Sequence, residues 1–199
     1  MRKLILLAVA LIIVLLPMSA FAQSETIDLL INGRSGQYYS NELVPREDIE
    51  TILLAGTGAQ SGHNTQQWFF VAISDPEVMD TVEAAATKPE TPTKIHQFGD
   101  APLAIAVFVP EGGFSSLTAG IVLDRMVIAA NALGYGAKIV GAHNSGINAN
   151  RELLGVPEGM SCASCVLIGK LDPAVDLTVD TVTGPSTRKP LEEIANIID

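Results

Sequence analysis

Three long apolar segments constrain the fold of this chain more than any other feature of its sequence. They are WFFVAIS at residues 68–74, LAIAVFVP at 103–110 and SCASCVLIGKL at 161–171. Apolar runs of this length, rich in aromatic and β-branched residues, are typical of buried strands. We therefore predict a sheet built from these segments, with strand 68–74 buried on both faces, and a shorter strand, AKIVGA, at 137–142.

Helical patterns alternate with these strands. Residues 24–32 repeat apolar side chains at helical spacing, and Pro45 at a first helical position begins a second helix. A third helix starts after Asp75 and runs to about residue 86. NANRELLG at 148–155 predicts a short helix with Asn148 as its cap, and the tail ends in a small amphipathic segment. This order predicts an α+β or α/β sandwich in which helices cover the sheet.

The helix predicted at residues 115–133 is apolar on almost every side. Its sequence, SSLTAGIVLDRMVIAANAL, contains a single acid and a single base. A helix of this kind is buried on more than one side, either inside a large domain or against another subunit. In a chain of 199 residues, we favour a subunit interface and predict a homodimer.

Residues 1–22 have the pattern of a secretory signal. Arg2 and Lys3 precede an apolar run, and the sequence AFA at residues 20–22 fits a small-x-small cleavage site. We expect cleavage after this motif and export of a single domain, residues 23–199, to the periplasm or the extracellular space. The alternative is an uncleaved N-terminal helix that anchors the protein in a membrane.

The charge balance narrows the choice of partners. The chain has 12 Lys and Arg residues against 22 Asp and Glu residues, so its net charge is −10. It becomes −12 without the leader, which holds two bases and no acid. An acidic surface repels phosphate backbones, and no basic stripe offsets this repulsion. We predict no nucleic-acid partner, and a membrane contact only through an uncleaved leader.

Several motifs of other protein classes do not fit their context. The glycines of AGTGAQSG at 55–62 follow a helix and precede a strand, the reverse of a dinucleotide-binding fingerprint. Cys162 and Cys165 form a C-x-x-C, but residues three apart on a strand point to opposite faces, about 10 Å apart. We therefore favour two packing cysteines over a redox pair. The three histidines are too far apart in sequence for a metal site, and no hydrolase triad stands out.

Five segments form a recognisable set in their order along the chain. They are NGRSGQYY at 32–39, VPREDIE at 44–50, SGHNTQQW at 61–68, AANALGYGAKIVGA at 129–142 and STRKPLEEI at 186–194. Together they resemble the FMN-dependent nitroreductase family. That family has a basic segment after the first helix, an S-x-x-N-x-Q-P-W turn, an L-G-L-G segment after the central helix and a basic R-x-P-L-E-E-like tail. The resemblance covers most of the chain after the leader.

This resemblance implies a fold, a cofactor and a set of binding residues. The fold is an α+β three-layer sandwich with a central, mostly antiparallel sheet flanked by helices. The cofactor is FMN, held at the subunit interface of a homodimer. The positions that match the family's flavin contacts are Arg34, Ser35, Asn64, Gln66, Val140, Gly141, Arg188 and Lys189.

The polar members of this set suit the flavin ring. Asn64 and Gln66 share parity, so in an extended segment both amides would point the same way. Each amide offers donors and acceptors to the pyrimidine edge of an isoalloxazine. Gly141 next to Val140 would allow close approach of the ring. Taken alone, the two amides also suit a loop that satisfies its own backbone.

The basic members suit a phosphate. Arg34 and Arg188 would supply fixed positive charge, together with Ser35 and Lys189. Taken singly, each of these residues also suits a solvated surface. Gly33 and Gln37 replace basic residues of the family pattern, and this difference favours weaker phosphate binding.

The implied function is electron transfer through FMN. A hydride passes to the flavin and then to a quinone- or nitroaromatic-like small-molecule acceptor, and we name no catalytic side chain because the flavin does the chemistry. NAD(P)H is the family's usual donor, but an exported protein would be separated from it, so the donor stays open. The alternative is a non-catalytic flavin or small-ligand binding protein on the same fold.

Overall fold

The structure is a computed structural model that describes residues 25–31, 35–36, 38–86, 101–112, 115–172 and 189–198. Helices and strands alternate along the chain, as the sequence predicts. The helices are α1 (25–31), α2 (Arg46–Thr57), α3 (Pro76–Ala84), α4 (Ser115–Ala132), α5 (Asn144–Ala149) and α6 (Leu191–Ile194). The strands are β1 (Phe69–Ile73), β2 (Leu103–Pro110), β3 (Gly136–Val140) and β4 (Met160–Gly169).

The four strands form one antiparallel sheet in the order β1-β2-β4-β3. Two isolated bridges extend it, one parallel between Ser35 and Ala137 and one antiparallel between Tyr39 and Leu171. Ser35 and Gly36 therefore lie beside the start of β3. These observations confirm the predicted α+β fold with an antiparallel sheet.

Helices cover both faces of the sheet. Ile105 and Val107 of β2 pack in one core with α2 and α4, whereas Ala106 and Phe108 pack in a second core on the opposite face, with α3 and α5. Burial on both faces explains why β2 shows no polar alternation, because every side chain of such a strand meets apolar neighbours. The arrangement is the predicted three-layer sandwich.

Strand β1 differs from its prediction. It was expected to be buried on both faces, but Phe69, Phe70 and Val71 are only half-buried and Ala72 is exposed. The reason is its position, since β1 is an edge strand that the helix layers cover in part. A continuous apolar run does not distinguish an edge strand from a central one.

The two cysteines pack in the core as predicted, but they do not point to opposite faces of the strand. Cys162 and Cys165 lie in the same core, on the face of α3 and α5. A register shift between Val107 and Phe108 of the partner strand β2 leaves one extra residue, Ala163, in β4. Such a bulge reverses the parity of the strand, so side chains three apart point the same way. Both thiols are free and buried, and burial raises the pKa of Cys162 to about 12.

Two helix boundaries need correction. Pro45 is the N-cap of α2 rather than its first residue. The helix predicted at 148–155 lies earlier in the chain, at α5, and Asn148 is inside it. The Asn148 side-chain oxygen accepts a hydrogen bond from the Cys162 backbone N–H at 2.9 Å. This amide therefore ties α5 to the sheet instead of capping a helix.

The turn between α4 and β3 is anchored by a tyrosine. The Tyr135 hydroxyl donates to the Asp48 carboxylate at 2.5 Å, and Tyr135 is 8% exposed. Burial, followed by this hydrogen bond, raises the pKa of Tyr135 to about 12. The contact fixes the start of α2 against the segment that leads into β3.

No helix among the described residues has both the length and the apolar character needed to cross a bilayer. The predicted leader, residues 1–22, lies outside the described part of the chain.

Candidate functional site

The segment before β1 is a tight turn with unusual backbone geometry. Residues Gly62–Asn64 form a single 3-10 turn, and three non-glycine residues have positive φ angles: His63 at 52°, Asn64 at 55° and Gln66 at 49°. Side chains with a β-carbon rarely adopt this left-handed region. Residues in this left-handed region cluster at ligand-binding sites. The conformation costs free energy of folding, and it is kept where binding depends on it.

The predicted amide pair is exposed on this turn. Asn64 and Gln66 are both accessible to solvent, and the Gln66 side-chain amide approaches the Asn64 carbonyl at 3.5 Å. The segment is not extended, so shared parity is not what orients the two amides. The turn is followed by Trp68, whose ring stacks on Phe70 with centroids 6.1 Å apart. This stack fixes the turn to the start of β1.

The other side chains of the turn line a cleft. Its volume is about 400 Å³, and it also takes in the end of β2 and the first turn of α4. Its polar side chains are His63, Thr65, Gln67, Glu111, Ser115 and Thr118. No pattern in the sequence predicts this cleft, apart from the alternation of its turn residues with Asn64 and Gln66.

Val140 and Gly141 lie at the end of β3. The Val140 carbonyl accepts hydrogen bonds from the Ser164 hydroxyl at 2.9 Å and the Cys165 thiol at 3.4 Å. Gly141 is exposed, and a β-carbon added there would meet its nearest atom, the Asn144 side-chain nitrogen, at 3.8 Å. The surface above Gly141 is therefore open.

The structure describes two of the four residues that are predicted to bind the phosphate. Ser35 is exposed and pairs with Ala137 at the start of β3, about 10 Å along the strand from Val140. Lys189 is exposed. Arg34 and Arg188 lie outside the described residues, as do Gly33 and Gln37.

The predicted residues fall at two edges of the sheet. The turn at residues 61–68 leads into β1, whereas Ser35, Val140 and Gly141 lie along β3, the opposite edge strand. Three inter-strand spacings separate these strands, about 14 Å. The end of β3 and the start of β1 nevertheless lie at the same end of the sheet, because Val140 pairs with Cys165 and Phe69 with Phe108.

Helix α4 presents a mainly apolar groove along its length. The groove has a volume of about 880 Å³ and is lined by residues of α4, by Ala55 and Gly58 near the end of α2, and by Leu30 of α1. Within α4, Leu117 is 61% exposed, whereas Val122 and Met126 on the other face are buried in the core. One face of the helix is thus in the core and the other is uncovered in the single chain.

A buried histidine lies two residues after Gly141. His143, at the N-cap of α5, is 1% exposed, and burial lowers its pKa to about 4. Among the residues that the structure describes, no group of three or more His, Cys, Asp and Glu side chains is placed to hold a metal ion.

Solved structures share this antiparallel α+β sandwich. A nitroreductase with bound FMN from Desulfitobacterium hafniense superimposes with a TM-score of 0.72 over 88% of this chain and 98% of that chain, at 21% identity. A nitroreductase with bound FMN from Bacteroides fragilis gives a TM-score of 0.68 over 83% and 98%, at 22% identity. The architecture is therefore that of the nitroreductase fold.

Sequence comparison gives the family. The sequence model of the Nitroreductase family matches residues 32–170. That span is well over half of the chain, so the protein belongs to the nitroreductase family.

Individual relatives agree with this assignment. A protein of Archaeoglobus fulgidus with the name "Putative NADH dehydrogenase/NAD(P)H nitroreductase" is 31% identical over 154 residues, which are 73% of this chain and 84% of the relative. Human iodotyrosine deiodinase 1 is 41% identical over 54 residues, but these are only 27% of this chain and 19% of that protein.

Proposed function

We propose that the protein is an exported FMN-dependent oxidoreductase that passes electrons to a quinone- or nitroaromatic-like acceptor. The observation that carries the proposal is the turn at residues 61–68. It keeps three left-handed non-glycine residues and exposes the amides of Asn64 and Gln66. Left-handed residues with side chains cluster at binding sites, and amides exposed on such a turn suit the polar edge of a heteroaromatic ring.

The described residues fit a flavin. Asn64 and Gln66 supply donors and acceptors for the polar edge of the ring, and the open surface at Gly141 gives a ring room to approach the end of β3. Ser35, at the other end of β3, supplies a hydroxyl for the phosphate. Family membership supports the same cofactor. Arg34, Arg188 and Lys189 would add positive charge for the phosphate.

The bound flavin would supply the redox chemistry. The donor loses a hydride, and a quinone acceptor gains two electrons and two protons, one of these from water. The side chains named here bind and orient the cofactor. If the protein is exported, its donor is a reductant available outside the cytoplasm rather than NAD(P)H.

A homodimer would bring the two halves of the site together. The amide turn and Gly141 lie at opposite edges of one sheet, about 14 Å apart across the strands. A second copy seated on the apolar groove of α4 would cover the exposed Leu117 and bring its own turn towards this chain's β3. We propose that FMN binds between the two copies.

Replacement of Leu117 with aspartate is expected to convert the dimer to a monomer. A charge in an apolar interface lacks water and a partner, and its desolvation opposes association. Sedimentation velocity measures the change. Leu153→Asp is the matched control, because Leu153 is 58% exposed on the loop before β4, next to Leu154, which packs against the core on the face of α3 and α5. A wild-type monomer, or an equal effect of both variants, would contradict the proposed interface.

The central test is retention and turnover of FMN. The purified protein is expected to keep a flavin absorption spectrum after incubation with FMN and desalting. After reduction of this flavin by dithionite in the absence of oxygen, addition of a quinone should return the oxidised spectrum faster than it does for free reduced FMN. A protein that binds FMN but whose flavin is reoxidised no faster than free FMN is a flavin-binding protein, the alternative function. A protein that remains colourless refutes both.

A further inference from the structure

The turn at residues 61–68 needs a device that holds its backbone. His63, Asn64 and Gln66 all have positive φ angles. Asparagine and histidine tolerate this region better than most residues, but glutamine has no such preference. Without a hydrogen-bond partner, the Gln66 backbone would relax towards an extended conformation. The Gln66 side-chain amide would then change its position.

Ser61 accepts two hydrogen bonds from the backbone of the turn. Its hydroxyl oxygen accepts the hydrogen bond of the Gln66 backbone N–H at 3.0 Å, and its carbonyl accepts that of the Asn64 backbone N–H at 3.0 Å. The other bonds of the turn include those of the Thr65 backbone N–H to the Gly62 carbonyl at 3.1 Å and of the Gln66 side-chain amide to the Asn64 carbonyl at 3.5 Å. Any residue at position 61 would keep the carbonyl contact. Only a hydroxyl or a similar acceptor keeps the contact to Gln66.

The position of Ser61 suits this role. It is half-buried, at the edge of the turn, and its own backbone is extended with φ −137° and ψ 150°. The hydroxyl therefore reaches forward across five residues without strain of its own. The bond closes the turn over the segment that carries both amides.

We propose that Ser61 is a positioning residue of the flavin site, whose hydroxyl holds the left-handed Gln66 and so fixes the Asn64 and Gln66 amides towards one ligand edge. This inference rests on the proposed FMN function. Ser61 itself does not need to touch the flavin. It acts through the backbone of Gln66.

The experiment compares three variants with the wild-type protein. Ser61→Ala removes the hydroxyl, and Ser61→Thr keeps it. Ser40→Ala is the matched control, because the Ser40 hydroxyl also accepts a local backbone N–H, that of Glu42 at 3.5 Å, in a segment remote from the turn. FMN affinity is measured by quenching of flavin fluorescence, and the midpoint potential of bound FMN by dye equilibration.

Ser61→Ala is expected to weaken FMN binding about fivefold to tenfold, the effect of one lost hydrogen bond, and to shift the potential. Ser61→Thr and Ser40→Ala should stay within about twofold of wild type. The unfolding midpoints of the two alanine variants should be similar. A shift in potential would distinguish positioning from a stabilising role, which changes the folded fraction but not the bound flavin.

Two outcomes would overturn the inference. One is unchanged affinity and potential in Ser61→Ala. The other is equal loss in Ser61→Ala and Ser61→Thr, which would make the effect one of packing.

The fluorescence of Trp68, the single tryptophan of the chain, distinguishes failure of the Ser61 inference from failure of the proposed FMN function. Its emission reports on the turn in the flavin-free protein, because it follows Gln66 by two residues. If wild type binds no FMN, the proposed function fails and the positioning role fails with it. An emission change in Ser61→Ala but not Ser61→Thr would then still show that the hydroxyl holds the turn, and no change would refute that contact as well.

Discussion

Replacement of Gly146 with alanine is expected to destabilise the protein by about 2 kcal/mol or more. A β-carbon built at Gly146 would lie 2.1 Å from the Val82 carbonyl oxygen and 2.9 Å from the Ala86 nitrogen. Both are backbone atoms of the α3 region, so the obstruction cannot rotate away. Overpacking of this kind costs about 1–3 kcal/mol or occasionally more, and here we expect the upper end. The higher helix propensity of alanine recovers about 1 kcal/mol of this.

Urea denaturation measures the effect as a lower midpoint with an unchanged slope. Ala149→Ser is the matched control, since it adds one heavy atom to the exposed side of the same helix. Surface changes of that size stay within about 0.5 kcal/mol. Equal midpoints for Gly146→Ala and the wild type would show that α3 and α5 are not in the close contact described here.

Stability is expected to fall as the pH decreases from about 6.5 to about 4 because of the buried His143. In the unfolded chain this imidazole binds a proton near its ordinary pKa of 6.5, whereas burial lowers the folded-state pKa to about 4. The unfolded state therefore binds more protons between these values, and the free energy of unfolding decreases with falling pH. The contribution of His143 to the free energy of unfolding is fully present above pH 6.5 and is about 3 kcal/mol. It is lost when the pH falls below the folded-state pKa.

The test compares the pH dependence of stability between variants. His143→Gln removes the buried titrating group, so its curve should be flatter than wild type between pH 6.5 and 4, whatever its absolute stability. The carboxyl groups titrate in both proteins, so their effect on stability cancels when the two curves are subtracted. His63→Gln is the control, because His63 is exposed and its loss leaves the buried imidazole in place. Parallel curves for His143→Gln and the wild type would contradict the prediction, as would an NMR titration of His143 with a pKa near 6.5.

The candidate site was predicted in part. The sequence singled out Asn64 and Gln66 through their spacing before an aromatic strand, and the structure exposes both. It did not show the left-handed backbone that holds them, because neither residue type requires a positive φ. Ser61, the partner of Gln66, lies within the family-like segment at 61–68, but its role depends on a contact that forms only when the turn forms.

The sequence by itself determined the layers of this protein. Continuous apolar runs and helical repeats predict a sheet with helices on both faces, because burial of apolar strands is favourable. Family segments in a fixed order added the identity of the fold.

Only the tertiary structure decided the features that depend on pairing. Strand order made β1 an edge, and a single bulge in β4 turned Cys162 and Cys165 to one face. The strand order also separated the turn at residues 61–68 from Gly141 by the width of the sheet. Local periodicity records how each segment alternates along its own chain, whereas edges, bulges and distances between segments follow from which strands pair and in which register.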